Sequence, residues 1–179
     1  MISSSVQRVL SELDKDGRYV YTVRDLALLF DEDGIKLKKT LARTTRSGLL
    51  IHAAHGVYVY AYSRHLGPYT IEAVARALRR GEYCYVSFES ALSAYGVISQ
   101  IPIDRLTVAT SGRSAEYVTP FGVIEFTHTE RDPLGYVGQL LERPPHPLPI
   151  ADRRLALRNL SDVRRSLDLV DLETMEDEQ

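Results

Sequence analysis

The stretch from Gly34 to His65, "GIKLKKTLARTTRSGLLIHAAHGVYVYAYSRH", decides how the first third of this chain folds. It carries Lys36, Lys38, Lys39, Arg43, Arg46 and Arg64 and no Asp or Glu, in a 179-residue chain whose net charge is -2. Its first part, Ile35 to Ser47, reads as a helix that Gly48 is placed to end. At about 100° per residue, Lys36, Lys39, Arg43 and Arg46 share an arc of roughly 80°. Leu37 and Leu41 fall on the opposite side, with Thr44 between them and the basic stripe. A helix divided in this way buries its leucines and turns its cations outward. Two β-prone runs follow, "LLIHA" and "GVYVYAY", split by Ala54, His55 and Gly56. They read as a hairpin.

Toward the N-terminus, residues 3–15 place Val6, Val9, Leu10 and Leu13 at helical spacing, and Gly17 breaks the pattern. Thr22 is a good N-cap for "VRDLALLF", and Asp25 three residues later makes something close to a capping box. Gly34 separates this short helix from the basic one. Three helices and a hairpin within the first 65 residues follow the order of a winged helix-turn-helix domain. In that order the third helix is the one sized for the major groove of double-stranded DNA. Arg43 and Arg46 would reach guanine edges or phosphates, and Lys36 and Lys39 phosphates. Thr40, Thr44 and Thr45 are candidate polar contacts. The residues assigned to DNA are therefore Lys36, Lys39, Thr40, Arg43, Thr44 and Arg46. The hairpin tip, with His52 and His55, would be the wing, and its lack of bases argues for a small contribution. A solvated outer face is the ordinary explanation of a basic stripe. Position in the helix order and the absence of acids over 32 residues weigh against it here.

Downstream, "TIEAVARALRRG" reads as a helix, "EYCYVSF" as β-prone and "ESALSAYGVI" as a short helix. "DRLTVAT", "AEYVTP" and "GVIEFTHT" are three strand-like runs with Gly- or Pro-containing breaks. This half is expected to be α+β with a small antiparallel sheet. "RPPHPLPI", Arg143 to Ile150, holds four prolines and reads as an extended linker. One or two charged amphipathic helices follow it. The expected organisation is a winged helix-turn-helix over residues 1–65, an α+β domain over 66–170 and an acidic tail over 171–179. That tail carries Asp171, Glu173, Glu176, Asp177 and Glu178 and has the composition of a disordered, solubilising segment.

Apolar content of 44% and charged content of 26% are those of a globular protein. Cys84 is the single cysteine, so neither an internal disulfide nor a cysteine metal cluster can form. The sequence has no apolar run near 18 residues, and "MISSSVQRVL" lacks a signal-peptide core. The expectation is a cytoplasmic protein that does not engage a membrane.

Catalytic signals are thin. His52 and His55 lie in the hairpin without a neighbouring carboxylate. His128, Glu130 and Asp132 alternate and would share a strand face, but a polar strand edge entering the Asp132-Pro133 turn explains them. Glu116 and Glu125 could pair as in a nuclease, yet no lysine follows at a nuclease-like spacing. Ser111 to Ser114 could hold a phosphate but reads as a turn between strands. The expectation is a protein that is not an enzyme and needs no cofactor or metal. The competing enzyme reading is a metal-dependent nuclease using Glu125, His128 or Glu130.

"YVSFESALSAYGVI", then "LTVATSGRSAEYVTPFGVIEFTHT", resembles the AbiEi-type antitoxins of bacterial type IV toxin–antitoxin systems. The likeness rests on Tyr85-Val86-Ser87 before the "ESAL" helix, on Tyr95-Gly96, on the strand ending at Thr110 with Gly112-Arg113 after it, and on Thr119-Pro120-Phe121-Gly122 before the strand ending at His128. It spans roughly residues 3–130, more weakly the helices after 150, and the N-terminal winged helix matches the same family. The resemblance implies a domain that binds operator DNA and represses its own operon, with the remainder giving antitoxicity. It also implies a partner, a nucleotidyltransferase-like toxin. The chain is shorter than the longer members, with room after Pro149 for about two helices and a tail. Physically, "TPFG" reads as a turn, Ser87 and Glu89 as helix-start residues, and Phe88, Leu92 and Tyr95 as core. A lone winged helix reads few base pairs, so a homodimer or cooperative binding on DNA would supply specificity. The alternative is a protein-interaction antitoxin that neutralises the toxin without a DNA role.

Overall fold

The computed structural model describes residues 4–98, 104–130 and 132–163. The protein is α+β and divides into two compact units, Met1–Leu78 and Arg79–Gln179.

The first unit opens with helix α1 (Ser4–Lys15), whose Leu10 is fully buried. Strand β1 (Val20–Thr22) follows, then α2 (Val23–Phe30), α3 (Gly34–Arg46), β2 (Leu50–Ala54), β3 (Val57–Tyr60) and α4 (Thr70–Leu78). The capping box at α2 forms as its sequence predicts. Thr22 Oγ1 accepts from the Asp25 backbone N–H at 3.2 Å, and an Asp25 carboxylate oxygen accepts from the Thr22 N–H at 2.8 Å. Helix α3 ends as expected at Gly48, which adopts φ +74. The N–H groups of Gly48 and Leu49 donate back to the carbonyls of Thr45 and Thr44, each at 3.0 Å, and so satisfy the last turn.

The three strands form an antiparallel sheet in the order β1-β3-β2. Strand β1 was not expected from its three residues. It exists because Tyr21, 1% exposed, fills the core while its backbone pairs with β3. Helix α4 also corrects the expected boundary at residue 65. Its Val74 and Ala75 are fully buried and the helix packs on β1 and β3, so it closes the first unit.

The second unit holds β4 (Cys84–Val86), α5 (Phe88–Ala94), β5 (Arg105–Thr110), β6 (Ala115–Thr119), β7 (Gly122–His128), β8 (Leu140–Leu141), β9 (Ile150–Ala151) and α6 (Arg153–Asp162). The sheet order is β6-β7-β5-β4-β9-β8. The expectation of an antiparallel sheet is corrected: β5 runs parallel to β7, and β4 parallel to β9, so the sheet is mixed. The proline-rich stretch is likewise more than a linker. Leu148 and Ile150 are buried, and Ile150 pairs with both Val86 and Leu141 inside the sheet. The "TPFG" turn forms between β6 and β7, with the Phe121 N–H donating to Thr119 Oγ1 at 3.1 Å. Phe88 and Leu92 are core as expected, whereas Tyr95 is half-buried and donates its hydroxyl to the Ala151 carbonyl at 3.1 Å. Ser87 stands at the N-cap of α5 but makes no side-chain cap bond; its Oγ accepts from Asn159 Nδ2 at 2.9 Å. Of the expected C-terminal helices, α6 forms over Arg153–Asp162. The acidic tail at 171–179 lies outside the described residues. No helix among the described residues is long and apolar enough to cross a membrane.

Candidate nucleic-acid interface

Helix α3 carries all six residues that the sequence assigns to DNA, and burial fixes its rotation. Leu37 and Leu41 are each 5% exposed, Thr40 is 6% and Thr44 is 0%. Each buried leucine contributes on the order of 1.5–3 kcal/mol toward holding this face inward. The Thr44 hydroxyl donates to the carbonyls of Thr40 at 2.9 Å and Leu41 at 3.0 Å, so it is satisfied without water. Thr40 and Thr44 are therefore corrected as candidate DNA contacts. They belong to the buried arc, where no groove can reach them. In sequence a threonine at the margin of a basic stripe reads as polar and outward. The signal that places it inward is its spacing: positions 37, 40, 41 and 44 step by 3, 1 and 3, a helical core pattern.

The outward arc keeps Lys36, Lys38, Lys39, Arg43 and Arg46, all exposed, with Thr45 half-buried at its edge. Lys36 is tied to Glu32, one turn earlier, at 3.6 Å. Among the described residues no carboxylate pairs with Lys38, Lys39, Arg43 or Arg46. The same arc carries exposed Ile35, at 73%, and exposed Ala42. Sequence reasoning passed over both, since it followed charge alone. Asp33 occupies the N-cap position of α3 without a side-chain cap bond, leaving the first-turn amides with no acceptor from the cap.

The hairpin forms where the sequence places it, with His55 and Gly56 as the two turn residues and Gly56 at φ +75. Its tip is held back: the Gly56 carbonyl accepts from the Val23 N–H at 2.9 Å, at the start of α2. His52 is exposed and packs on Tyr58 with ring centroids 5.0 Å apart, and His55 is exposed at the tip.

The candidate catalytic residues are dispersed or engaged. Glu116 and Glu125 face one another across β6 and β7, and both accept from Arg105 Nη1, at 2.7 and 2.8 Å. Both carboxylates raise the Arg105 pKa, the Glu116 hydrogen bond being the largest cause. His128 closes β7, and its Nδ1 lies 2.8 Å from the Gly112 carbonyl oxygen. Thr129 and Glu130 follow it past the strand end. His128, Thr129 and Glu130 join Phe88, Asn159, Asp162 and Val163 around an open cleft of about 460 Å³. Among the described residues no three His, Cys, Asp or Glu side chains gather closely enough to hold a metal ion.

No protein-family profile and no curated protein matches the chain. The fold is similar to that of the RV2827C protein from Mycobacterium tuberculosis, known from a crystal structure, with TM-score 0.62 and 17% identity. The likeness covers 89% of this chain and 61% of that protein's length. At that identity it is a likeness of fold.

Proposed function

We propose that the chain is a DNA-binding, antitoxin-like transcriptional repressor that binds the operator of its own toxin–antitoxin operon. Its first unit serves as a winged helix-turn-helix, and α3 is the recognition helix. One observation carries this reading. A helix sealed on one side by Leu37, Thr40, Leu41 and Thr44 presents Lys39, Arg43 and Arg46 on the other, none of them neutralised by a described carboxylate. Helix order supports it too: α2 and α3 precede a hairpin whose second strand, β3, pairs with β1.

Mechanistically, the cations anchor α3 to the phosphates that flank the major groove, and each neutralised phosphate releases counterions. Arg43 and Arg46 carry planar guanidinium groups suited to guanine edges. Repression is then steric, since polymerase cannot occupy DNA held by the protein. Two copies on a repeated or palindromic site, as a homodimer or cooperatively, would supply the specificity one unit lacks. The second unit would carry antitoxicity toward a nucleotidyltransferase-like toxin, an assignment that follows from the family resemblance alone. The protein works in the cytoplasm on this reading, without cofactor or metal and without catalysis.

The test compares a reporter driven by the DNA upstream of the gene, with the wild-type chain and with Arg43→Ala/Arg46→Ala, alongside rescue of cells from the toxin encoded nearby. Loss of repression with rescue retained supports the reading. Full repression by the variant contradicts it, and rescue with no repression by either chain supports the alternative of an antitoxin without a DNA role.

A further inference from the structure

The buried arc of α3 is centred near Thr44 and Leu37, and the direction opposite to it selects one row of residues. At about 100° per residue, that row is Ile35, Lys39, Ala42 and Arg46, within roughly 60°. Lys36 and Arg43 flank it on one side and Lys38 and Thr45 on the other. All four residues of the row are exposed. Two of them carry charge and two are apolar, and the apolar ones alternate with the cations along the helix.

Exposed Ile35 stands in the first turn of α3, the part of a recognition helix that meets base edges. A phosphate offers nothing to an isoleucine or alanine side chain. The one apolar group on a base edge in the major groove is the thymine 5-methyl. We propose that Ile35 and Ala42 read the methyl groups of two operator thymines, while Lys39 and Arg46 between and beyond them engage guanine edges or phosphates. The seven-residue step from Ile35 to Ala42 spans about 10 Å of helix. That separates the two thymines by about three base-pair steps at ~3.4 Å each. The stripe of cations at the margin gives affinity, and the apolar pair gives sequence. This inference rests on the DNA-binding reading of α3.

The experiment selects duplexes from a random pool with the full-length protein, then replaces each thymine of the selected site by deoxyuridine, which pairs identically and lacks only the methyl. The expected result is a loss of about fourfold at each of two positions, the equivalent of one buried methyl. Ile35→Ala, a change at an exposed helical position, should abolish the loss at one of them and keep the wild-type salt dependence. Sequence selection with no deoxyuridine effect, or with the same effect in Ile35→Ala, would overturn the apolar readout while leaving α3 as a DNA-binding helix. Failure of the wild-type chain to select any sequence would overturn the DNA reading itself, and this inference with it.

Discussion

The Thr44 hydroxyl lies 2.9 Å from the Thr40 carbonyl oxygen, and both side chains are sealed beneath α3. That bond satisfies the buried hydroxyl within its own helix and so lets Thr44 stand on the face that Leu37 and Leu41 turn inward. With Thr40 and Thr44 inward, Lys39, Arg43 and Arg46 can only face out.

Removing the hydroxyl should leave DNA binding alone. Thr44→Val keeps the shape and loses two hydrogen bonds whose acceptors remain within the helix ladder. The expected cost is about 1 kcal/mol of stability, read from the urea midpoint, with an unchanged affinity for DNA. A large loss of affinity at unchanged stability would place Thr44 in the groove after all.

Freeing Lys36 should strengthen binding. Glu32 holds it at 3.6 Å, while the other carboxylate oxygen of Glu32 is buried without a hydrogen-bond partner among the described residues. Glu32→Gln removes a negative charge beside the basic face of α3 and releases a cation. Affinity should rise about two- to fivefold, the equivalent of ~0.5–1 kcal/mol, when measured by fluorescence anisotropy at low salt. An unchanged or lower affinity would show that Lys36 stands away from the phosphates.

Asp14 should make the first unit acid-sensitive. It is 4% exposed at the end of α1 and accepts from the Ser63 hydroxyl and, at 3.2 Å, from the Arg64 N–H. Burial raises its pKa, but the Ser63 and Arg64 hydrogen bonds and the nearby His65 and Arg64 charges outweigh it, so its carboxyl titrates below the ordinary 3.8. The folded state thus favours the ionised form. That contribution is present above about pH 4 and is lost as pH falls through the depressed folded pKa. Asp14→Asn should be clearly less stable than wild type at pH 7, with the difference shrinking as unfolding is followed below pH 4. A difference that grows in acid would reverse the sign.

Asn159 should be a keystone of the second unit. Its Nδ2 donates to Tyr85 Oη at 3.0 Å and Ser87 Oγ at 2.9 Å, joining α6 to the strand and turn before α5. Asn159→Ala leaves both oxygens buried without that donor and should cost about 1–3 kcal/mol, seen as a lowered unfolding midpoint. A midpoint matching wild type would mean that the two oxygens find other partners.

Local chemistry made much of this fold legible. The Thr22–Asp25 box, the stop at Gly48, the hairpin turn at His55–Gly56 and the "TPFG" turn each depend on neighbours within a few residues, and each forms. Pairings between distant segments were not legible. Strand β1 is stabilised by β3, and the parallel pairs β5–β7 and β4–β9 join segments with no local cue. Strand β9 ends a run of prolines that reads as open chain, yet Ile150 is 1% exposed. At the candidate site the division of α3 into apolar and basic faces was readable from spacing. The inward turn of Thr40 and Thr44 was hidden because a threonine can satisfy its hydroxyl on its own helix. Ile35 was hidden because an exposed isoleucine carries no charge to mark it.

The outward face of α3 is where the DNA-binding reading is tested most directly. The measurement is affinity for a duplex from upstream of the gene and for a scrambled duplex, across a salt series, with the wild-type chain and with Lys39→Ala/Arg43→Ala/Arg46→Ala. The account predicts preferential binding of the upstream duplex by the wild type, a steep loss with salt, and a log–log slope shallower by about 0.9 for each phosphate contact the variant gives up. Equal and weak binding of both duplexes, with the same slope for both proteins, would contradict it and leave the basic face merely solvated.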